Sequence, residues 1–303
     1  KRTDILTSYQ TRPQWVGVTM APGNLGETKN AGYEIELKHA NHIGKDFSYN
    51  IGLTYSYAKN EIQHMDEPAL KTTYRKREGH PINQYFGLIC DGFVTQADLN
   101  NPDMPKSTFG NVKVGDLKYR DMNNDGFIDE RDETFIGYSD IPESTYALTL
   151  GCDYKGWGFS IMFQGVDNVS RYYDAEAMFS FINGGKVREH HLDRWNPAAS
   201  EADNLARAKY PLLHYAGNGD HNQRANSFFL KNGAFTRLKN IELSYTLPES
   251  WSKKVGMSNC RLYVNANNLI TWDHLDDLCD PESNGSNRYP IMKAVNFGVN
   301  VKF

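Results

Sequence analysis

The chain ends on AVNFGVNVKF, a stretch in which two kinds of side chain alternate strictly. From Ala294 to Phe303 the odd-numbered positions are apolar and the even-numbered positions are small or polar. A side-chain period of two predicts a β-strand with two different faces. In a soluble sheet the apolar face meets a protein core, whereas in a membrane barrel it meets lipid and the polar face lines the interior. One strand does not separate these two alternatives.

The same alternation recurs along the chain, in FSYNIGLTYSYA, YALTLGCDY, WGFSIMF, NIELSYTL and GYEIELK. Several of these runs exceed the roughly five or six residues of a typical globular strand and approach the roughly 9–11 residues of a tilted membrane strand. Aromatic residues cluster towards the ends of the runs, as in the girdles of membrane barrels. We therefore predict an all-β fold, an antiparallel transmembrane β-barrel segment.

The connections between the predicted strands fall into two groups. The strands are expected at 2–10, 31–41, 47–58, 145–154, 157–168, 235–247, 260–270 and 292–303. When successive strands cross in alternating directions, the short connections at 42–46, 155–156 and 248–259 lie on one side. The long ones at 11–30, 59–144, 169–234 and 271–291 lie on the other. Short periplasmic turns and long extracellular loops are typical of outer-membrane barrels.

Composition excludes several other classes of protein. The 303 residues carry a formal net charge of −4 and a mean hydropathy of −0.64, with no apolar stretch near the roughly 18 residues of a membrane helix. The near-neutral charge does not indicate nucleic-acid binding. The four cysteines form no CxxC pair and so do not indicate a metal site. The strand-like beginning, without an initiating methionine, leads us to expect a piece of a longer protein.

One local motif has the spacing of a calcium loop, DMNNDGFIDERD at 121–132. Gly126 stands where such a loop turns sharply, and the Phe127 carbonyl would be a ligand. The remaining ligands would be side-chain oxygens, from Asp121, Asn123, Asp125, Asp129 and Asp132. The last position is Asp rather than the usual Glu, and an Asx-rich turn without metal is the alternative. We predict a structural Ca²⁺ that holds this loop. No catalytic motif stands in a credible context, so we expect no enzymatic activity.

Residues 115–166, GDLKYRDMNNDGFIDERDETFIGYSDIPESTYALTLGCDYKGWGFSIMFQGV, closely resemble the C-terminal region of SusC/RagA-type TonB-dependent transporters. NAGYEIEL, GHPINQYFGLICDGF, FLKNGAFTRLKNIELSYTLP, RLYVNANNLITW and the terminal VNFGVNVKF agree with that family too. The resemblance covers essentially the whole chain.

The resemblance implies a 22-stranded outer-membrane barrel of a Gram-negative bacterium, of which this chain would supply about eight strands. It also implies an N-terminal plug, energy relayed by TonB, and a SusD-like lipoprotein that captures an oligosaccharide or peptide. The missing N-terminal region would contact TonB. The loops 59–144 and 169–234 would form the lipoprotein surface, where Trp195 and Trp272 are candidates for stacking on sugars or for structural packing.

Two other hypotheses remain open at this point. A secreted, soluble, calcium-stabilised β-sandwich that binds carbohydrate would bury the stripe formed by Phe159, Ile161 and Phe163. A passive porin would share the barrel but lack the plug.

Overall fold

A computed structural model describes residues 1–9, 11, 21–68, 72–173, 179–181, 186–214, 220–275, 279–283, 289 and 291–303. Its strands in chain order are β1 Arg2–Thr7, β2 Gly23–Ile43, β3 Phe47–His64, β4 Gln84–Gly87, β5 Cys90–Phe93, β6 Lys106–Ser107, β7 Leu117–Tyr119, β8 Phe127–Ile128, β9 Thr134–Ser139, β10 Ser144–Tyr154, β11 Trp157–Asp167, β12 Ser170–Tyr172, β13 Leu230–Asn232, β14 Phe235–Thr246, β15 Asn259–Trp272 and β16 Ala294–Lys302.

The helices are short. The α-helices are α1 Gln96–Asn100, α2 Glu201–Arg207, α3 Asp220–Gln223 and α4 Glu249–Ser252, and the 3₁₀ turns are Thr73–Arg75, Glu130–Asp132, Glu189–Asp193 and Lys253–Val255. None of the helices in the described residues has the length and apolar character that a membrane crossing requires.

Eight strands form one antiparallel sheet in the order β1-β2-β3-β10-β11-β14-β15-β16, so every strand pairs with its chain neighbours among these eight. The pairing of β3 with β10 and of β10 with β11 is unbroken from end to end. A bulge near Leu238 and Asn240 shifts the register on both sides of β14. The prediction of eight antiparallel strands in sequential order is confirmed.

The strands β2 and β3 run further than the alternating pattern predicted. β2 spans 21 residues and begins at Gly23 rather than near 31. β3 spans 18 residues and ends at His64 rather than near 58. The added residues of β2 pair with the added residues of β3 on one side and with β1 on the other. The Ile62 amide also donates to the His80 carbonyl at 2.9 Å, so the connection beyond β3 supplies further partners. Periodicity missed the extension because polar residues occupy both of its faces, as in AKNEIQH.

The short connections all lie at one end of the sheet, here called the turn end. Gly44 has φ +69° between β2 and β3, and Lys155 and Gly156 have φ +47° and +87° between β10 and β11. Such left-handed backbone favours glycine and suits two-residue hairpins. The third connection, between β14 and β15, contains α4 and the turn Lys253–Val255.

The long connections pack together beyond the other end of the sheet. The loop module comprises the described residues of 65–143, 168–234 and 273–283, and small strand pairs brace it. Its apolar core is buried and consists of Leu88, Leu117, Tyr119, Ile128, Tyr173, Phe179, Tyr210, Phe229 and Leu275. The sheet is therefore one layer thick, whereas the connections enclose a core of their own.

Candidate functional site

The two faces of the eight-stranded sheet differ in chemistry. One face, here called the outer face, carries a row of apolar side chains in register across six strands: Leu37, Leu53, Leu148, Phe163, Leu238 and Ile270. On the last strand Phe297 is 83 % exposed and Val299 is 62 % exposed. An apolar surface of this extent meets lipid or protein rather than water. Phe297 and Val299 are thus open at the surface rather than enclosed by protein within this chain.

The turn end of the outer face carries an aromatic belt. Phe47, Tyr154, Trp157 and Tyr245 stand opposite one another on β3, β10, β11 and β14. The Trp157 and Tyr245 ring centroids are 4.8 Å apart. Amphipathic rings in this position are typical of the boundary between hydrocarbon and headgroups.

The inner face carries a polar network across β14, β15 and β16. Arg261 pairs with Glu242 at 2.5 Å, and Asn265 donates to the same carboxylate at 3.4 Å. Asn296 donates in turn to Asn265 at 2.9 Å. Further along, Asn240 donates to an amide oxygen on β15 at 2.9 Å. This face offers both donors and acceptors to whatever fills the interior.

A buried arginine joins the inner face to the connection after β15. Arg237 is 1 % exposed, and its guanidinium lies 2.7 Å from Asp280 and 3.2 Å from Glu282. Lys239 also pairs with Glu282 at 3.2 Å. Two basic residues of β14 thus hold residues 279–283 against the wall, and breaking a buried pair of this kind is strongly destabilising. The sequence does not reveal this contact, because charged residues on one strand do not indicate a partner about forty residues away.

The loop module contains a buried polar centre beside its apolar core. Asp116 is 1 % exposed and accepts hydrogen bonds from Asn222 at 2.9 Å and from the Lys113 amide at 2.8 Å. Its carboxylate also contacts His214 at 2.5 Å. His221, 4 % exposed, contacts the Leu117 carbonyl at 2.7 Å, and burial lowers its pKa from 6.5. These groups satisfy one another, so the centre is structural.

The acidic loop 121–132 adopts a tight series of turns. The Gly126 amide donates to Asp121 Oδ2 at 2.8 Å, and the Phe127 amide donates to Asp125 Oδ1 at 3.0 Å. The backbone is left-handed at Asn124 and Gly126, with φ +56° and +80°. Asp125 also accepts from the Asn123 amide group at 3.0 Å. The spacing in the sequence therefore corresponds to a compact loop between β7 and β9 that includes β8 and the turn Glu130–Asp132.

The donor oxygens of this loop are largely occupied by protein hydrogens. The Arg131 guanidinium lies 2.8 Å from Asp125 and 2.6 Å from Asp129, and it holds the pKa of Asp129 below its usual range. Asp132 accepts two backbone amides, and burial raises its pKa. Asp121 Oδ1 is buried with no hydrogen-bond partner. Within the described residues, no three His, Cys, Asp or Glu side chains converge in a way that would hold a metal.

The two tryptophans considered as sugar-stacking residues lie in different surroundings. Trp195 is 3 % exposed, and its ring packs edge-on against Phe93 at 5.5 Å and over Gly115. That packing corrects the stacking interpretation for Trp195, because its ring has no open face. Trp272 is 51 % exposed, but it ends β15 on the outer face, 6.4 Å from Phe163. It extends the apolar surface rather than the inner wall.

The described geometry defines a class of protein: a one-layer antiparallel wall with an apolar outer face and a polar inner face, in which the described parts of the long connections after β3, β11 and β15 lie at one end. The TonB dependent receptor-like β-barrel family matches residues 1–269, and the chain belongs to this family. The sheet is thus part of an outer-membrane β-barrel, and the predicted similarity to SusC/RagA-type proteins is confirmed.

The curated relatives are much longer than this chain. TonB-dependent receptor P3 of Formosa agariphila is 25 % identical over 331 residues, which cover 100 % of this chain and 31 % of the relative. TonB-dependent receptor SusC of Bacteroides thetaiotaomicron is 23 % identical over 286 residues, covering 92 % of this chain and 27 % of that protein. The chain therefore spans about a third or less of the length of these relatives.

Solved structures show the same fold. The RagAB peptide importer in its open-open state aligns with a TM-score of 0.70 at 22 % identity, covering 99 % of this chain and 31 % of that chain. A second structure, of the RagAB peptide transporter, aligns with a TM-score of 0.68 at 21 % identity, covering 99 % of this chain and 32 % of that chain. The barrel fold predicted from side-chain alternation is thus confirmed.

Proposed function

We propose that the protein containing this chain is an active importer of the Gram-negative outer membrane, energised by TonB and working with a SusD-like lipoprotein. The observation that carries this proposal is the asymmetry of the wall. Its open apolar outer face suits acyl chains, and its inner face suits an aqueous or protein-filled interior. TonB would act through the region outside this chain.

The substrate class we propose is an oligosaccharide or a peptide. One similar structure is described as a peptide transporter, which supports a peptide. The oligosaccharide is what the resemblance to SusC/RagA-type transporters implies. The inner-face network of amides, carboxylate and guanidinium is compatible with either class, because hydroxyl groups and peptide groups both donate and accept hydrogen bonds.

We assign the loop module to the extracellular side, as the surface for the lipoprotein and part of the substrate vestibule. Its buried core gives it a fixed shape, which a docking surface requires. The inner face would in turn contact the N-terminal plug and meet the remaining strands at the two sheet edges, β1 and β16.

The direct test is uptake by cells that produce the full-length protein. Peptide and oligosaccharide mixtures would be supplied, and their depletion from the medium would be followed by mass spectrometry with and without functional TonB. We expect depletion of one class only when both the receptor and TonB are present. Depletion that continues without TonB would support the passive porin instead.

The β-sandwich hypothesis predicts a buried apolar face instead of an exposed one. It requires the stripe on β11 to be enclosed, whereas Phe159 is 38 % exposed and the sheet is a single layer. Together with family membership, this disfavours a soluble carbohydrate-binding module.

We further propose that the acidic loop binds a structural Ca²⁺, with Asp121, Asn123, Asp125, the Phe127 carbonyl, Asp129 and Asp132 as ligands. Support comes from the buried oxygen of Asp121, which has no hydrogen-bond partner. Because Arg131 now contacts Asp125 and Asp129, the ion would have to displace its guanidinium. Calcium and Arg131 would therefore compete for the same carboxylates.

Limited proteolysis of the full-length protein would test this ion. We expect cleavage within residues 105–135 to increase several-fold when EGTA removes calcium. The double variant Asp121→Asn, Asp125→Asn should be cleaved equally fast with and without EGTA. The matched variant Arg131→Gln should need less calcium for protection, because the competing cation is gone. Equal cleavage of the unmodified protein in both conditions would contradict the proposal.

A further inference from the structure

The connection between β14 and β15 differs from the other two at the turn end, because it contains a helical segment with exposed apolar residues. Here it is called the turn helix, residues 248–256, and it includes α4 and the turn Lys253–Val255. Trp251 is 62 % exposed and Val255 is 65 % exposed. Residues four apart share one face of a helical segment, so this face is apolar and uncovered.

The turn helix lies next to the outer face. It packs against β15, and Cys260, which shares the outer face with Leu262, is 5 % exposed while Leu262 is 43 % exposed. The first outer-face residue of β15 is therefore buried at the end of the strand that the turn helix adjoins. Trp251 follows Tyr245 of the aromatic belt by six residues along the chain, beyond the end of β14 at Thr246.

The charges at the turn end are mostly basic. Within 44–48, 153–158, 246–260 and 300–303, five lysines outnumber three carboxylates. Lys155 pairs with Asp46 at 3.8 Å and Lys253 with Glu249 at 2.6 Å. In the part of the chain that the structure describes, Lys45, Lys254 and Lys302 form no ion pair within the protein. Exposed tryptophan beside unpaired lysine matches the interface between acyl chains and anionic headgroups.

We propose that the turn helix is an interfacial anchor, which inserts Trp251 and Val255 into the headgroup boundary of the inner leaflet and sets Lys254 against anionic phospholipid phosphates. The proposal rests on the membrane placement argued under the proposed function. It is favoured over a protein partner because the exposed apolar face lies at the turn end, where the outer face carries its aromatic belt, and because the adjacent charge is basic. The anchor would fix the depth at which the wall sits in the bilayer.

Nitroxide labels on the full-length protein in vesicles would test this anchor, after removal of reactive native thiols. Single cysteines would be placed by Val255→Cys, by Ser250→Cys as the control within the same segment, and by Phe297→Cys as the lipid-facing reference. The readout is collision with oxygen, which concentrates in the bilayer, against collision with a water-soluble nickel complex. We expect positions 255 and 297 to favour oxygen several-fold and position 250 to favour nickel.

The outcomes separate the two proposals. If position 297 favours oxygen but position 255 matches position 250, the anchor is wrong and the membrane wall stands. If position 297 itself favours nickel, the membrane placement is wrong. If neither oxygen nor nickel reaches position 255, the segment is covered by protein rather than lipid, and this result would also overturn the anchor.

A separate experiment tests the contact between Lys254 and lipid phosphate. In vesicles of phosphatidylethanolamine and phosphatidylglycerol, Lys254→Gln should lower the oxygen preference at position 255, whereas in phosphatidylcholine it should change nothing. The same oxygen preference in both lipids and both variants would overturn the phosphate contact.

Discussion

The sheet and the loop module place their apolar side chains in opposite positions, on the outside of the sheet and in the interior of the module. In the sheet, Leu148 and Phe297 face outward, where acyl chains are the solvent. In the loop module, which we place in water outside the membrane, Phe229 and Leu117 are 1 % and 0 % exposed within its apolar core. The hydrophobic effect acts in both regions, but its solvent differs. Strict alternation of apolar and polar side chains therefore indicates the environment of a strand as well as its secondary structure.

The largest effect is expected in the core of the loop module. Phe229 contacts Phe179 edge-on at 4.8 Å, and Phe229→Ala should lower the free energy of unfolding of the module by about 3–5 kcal/mol. Urea-dependent proteolysis of the full-length protein measures this, while insertion into the outer membrane should not change. The matched control is Leu192→Ala at a site that is 72 % exposed. Equal losses from both variants would show that the module has no packed core.

A slightly smaller effect is expected on the outer face of the sheet. Leu148→Arg and Ile161→Arg each place a charge against lipid, at a cost of about 2–4 kcal/mol near the middle of the bilayer. The folded fraction of the full-length protein in outer membranes should fall, as measured by heat-modifiable mobility in gels. Thr149→Arg, one residue along on the inner face, serves as the control. A normal yield of the outer-face variants would count against the lipid assignment.

The smallest effect concerns pH, and it should separate the two regions. Burial lowers the pKa of His221 from 6.5, although Asp116 opposes the shift and His214 adds to it. Because the unfolded state then binds a proton more readily than the folded state, the module should lose stability as pH falls below about 6.5. Hydrogen exchange of module amides near pH 5.5 and 7.5, corrected for intrinsic rates, measures this loss. His221→Gln should reduce it, and amides of β10 and β11 should show none.

Much of the sheet could be predicted because its determinants are local. Alternation assigns faces within one strand, and turn residues such as Lys155 and Gly156 join neighbours, so sequential antiparallel pairing follows. The bounds of β2 and β3 could not be predicted, since their polar extension is held by backbone partners from β1 and from Gly79 and His80. The acidic loop was found by its spacing, but the position of Arg131 between two of its carboxylates was not.

The sequence by itself determined the class of fold, because a period of two with an apolar row leaves few places for such a strand to lie. It also placed all the long connections at one end, since strand direction alternates with each crossing. Only the tertiary structure decided what the long connections do: which rings form their core, that Trp195 is enclosed, and that Arg237 holds residues 279–283. The physical reason is the separation along the chain of the residues that interact. Strand faces depend on neighbours in the chain, whereas packing and buried ion pairs depend on residues that meet only after the chain has folded.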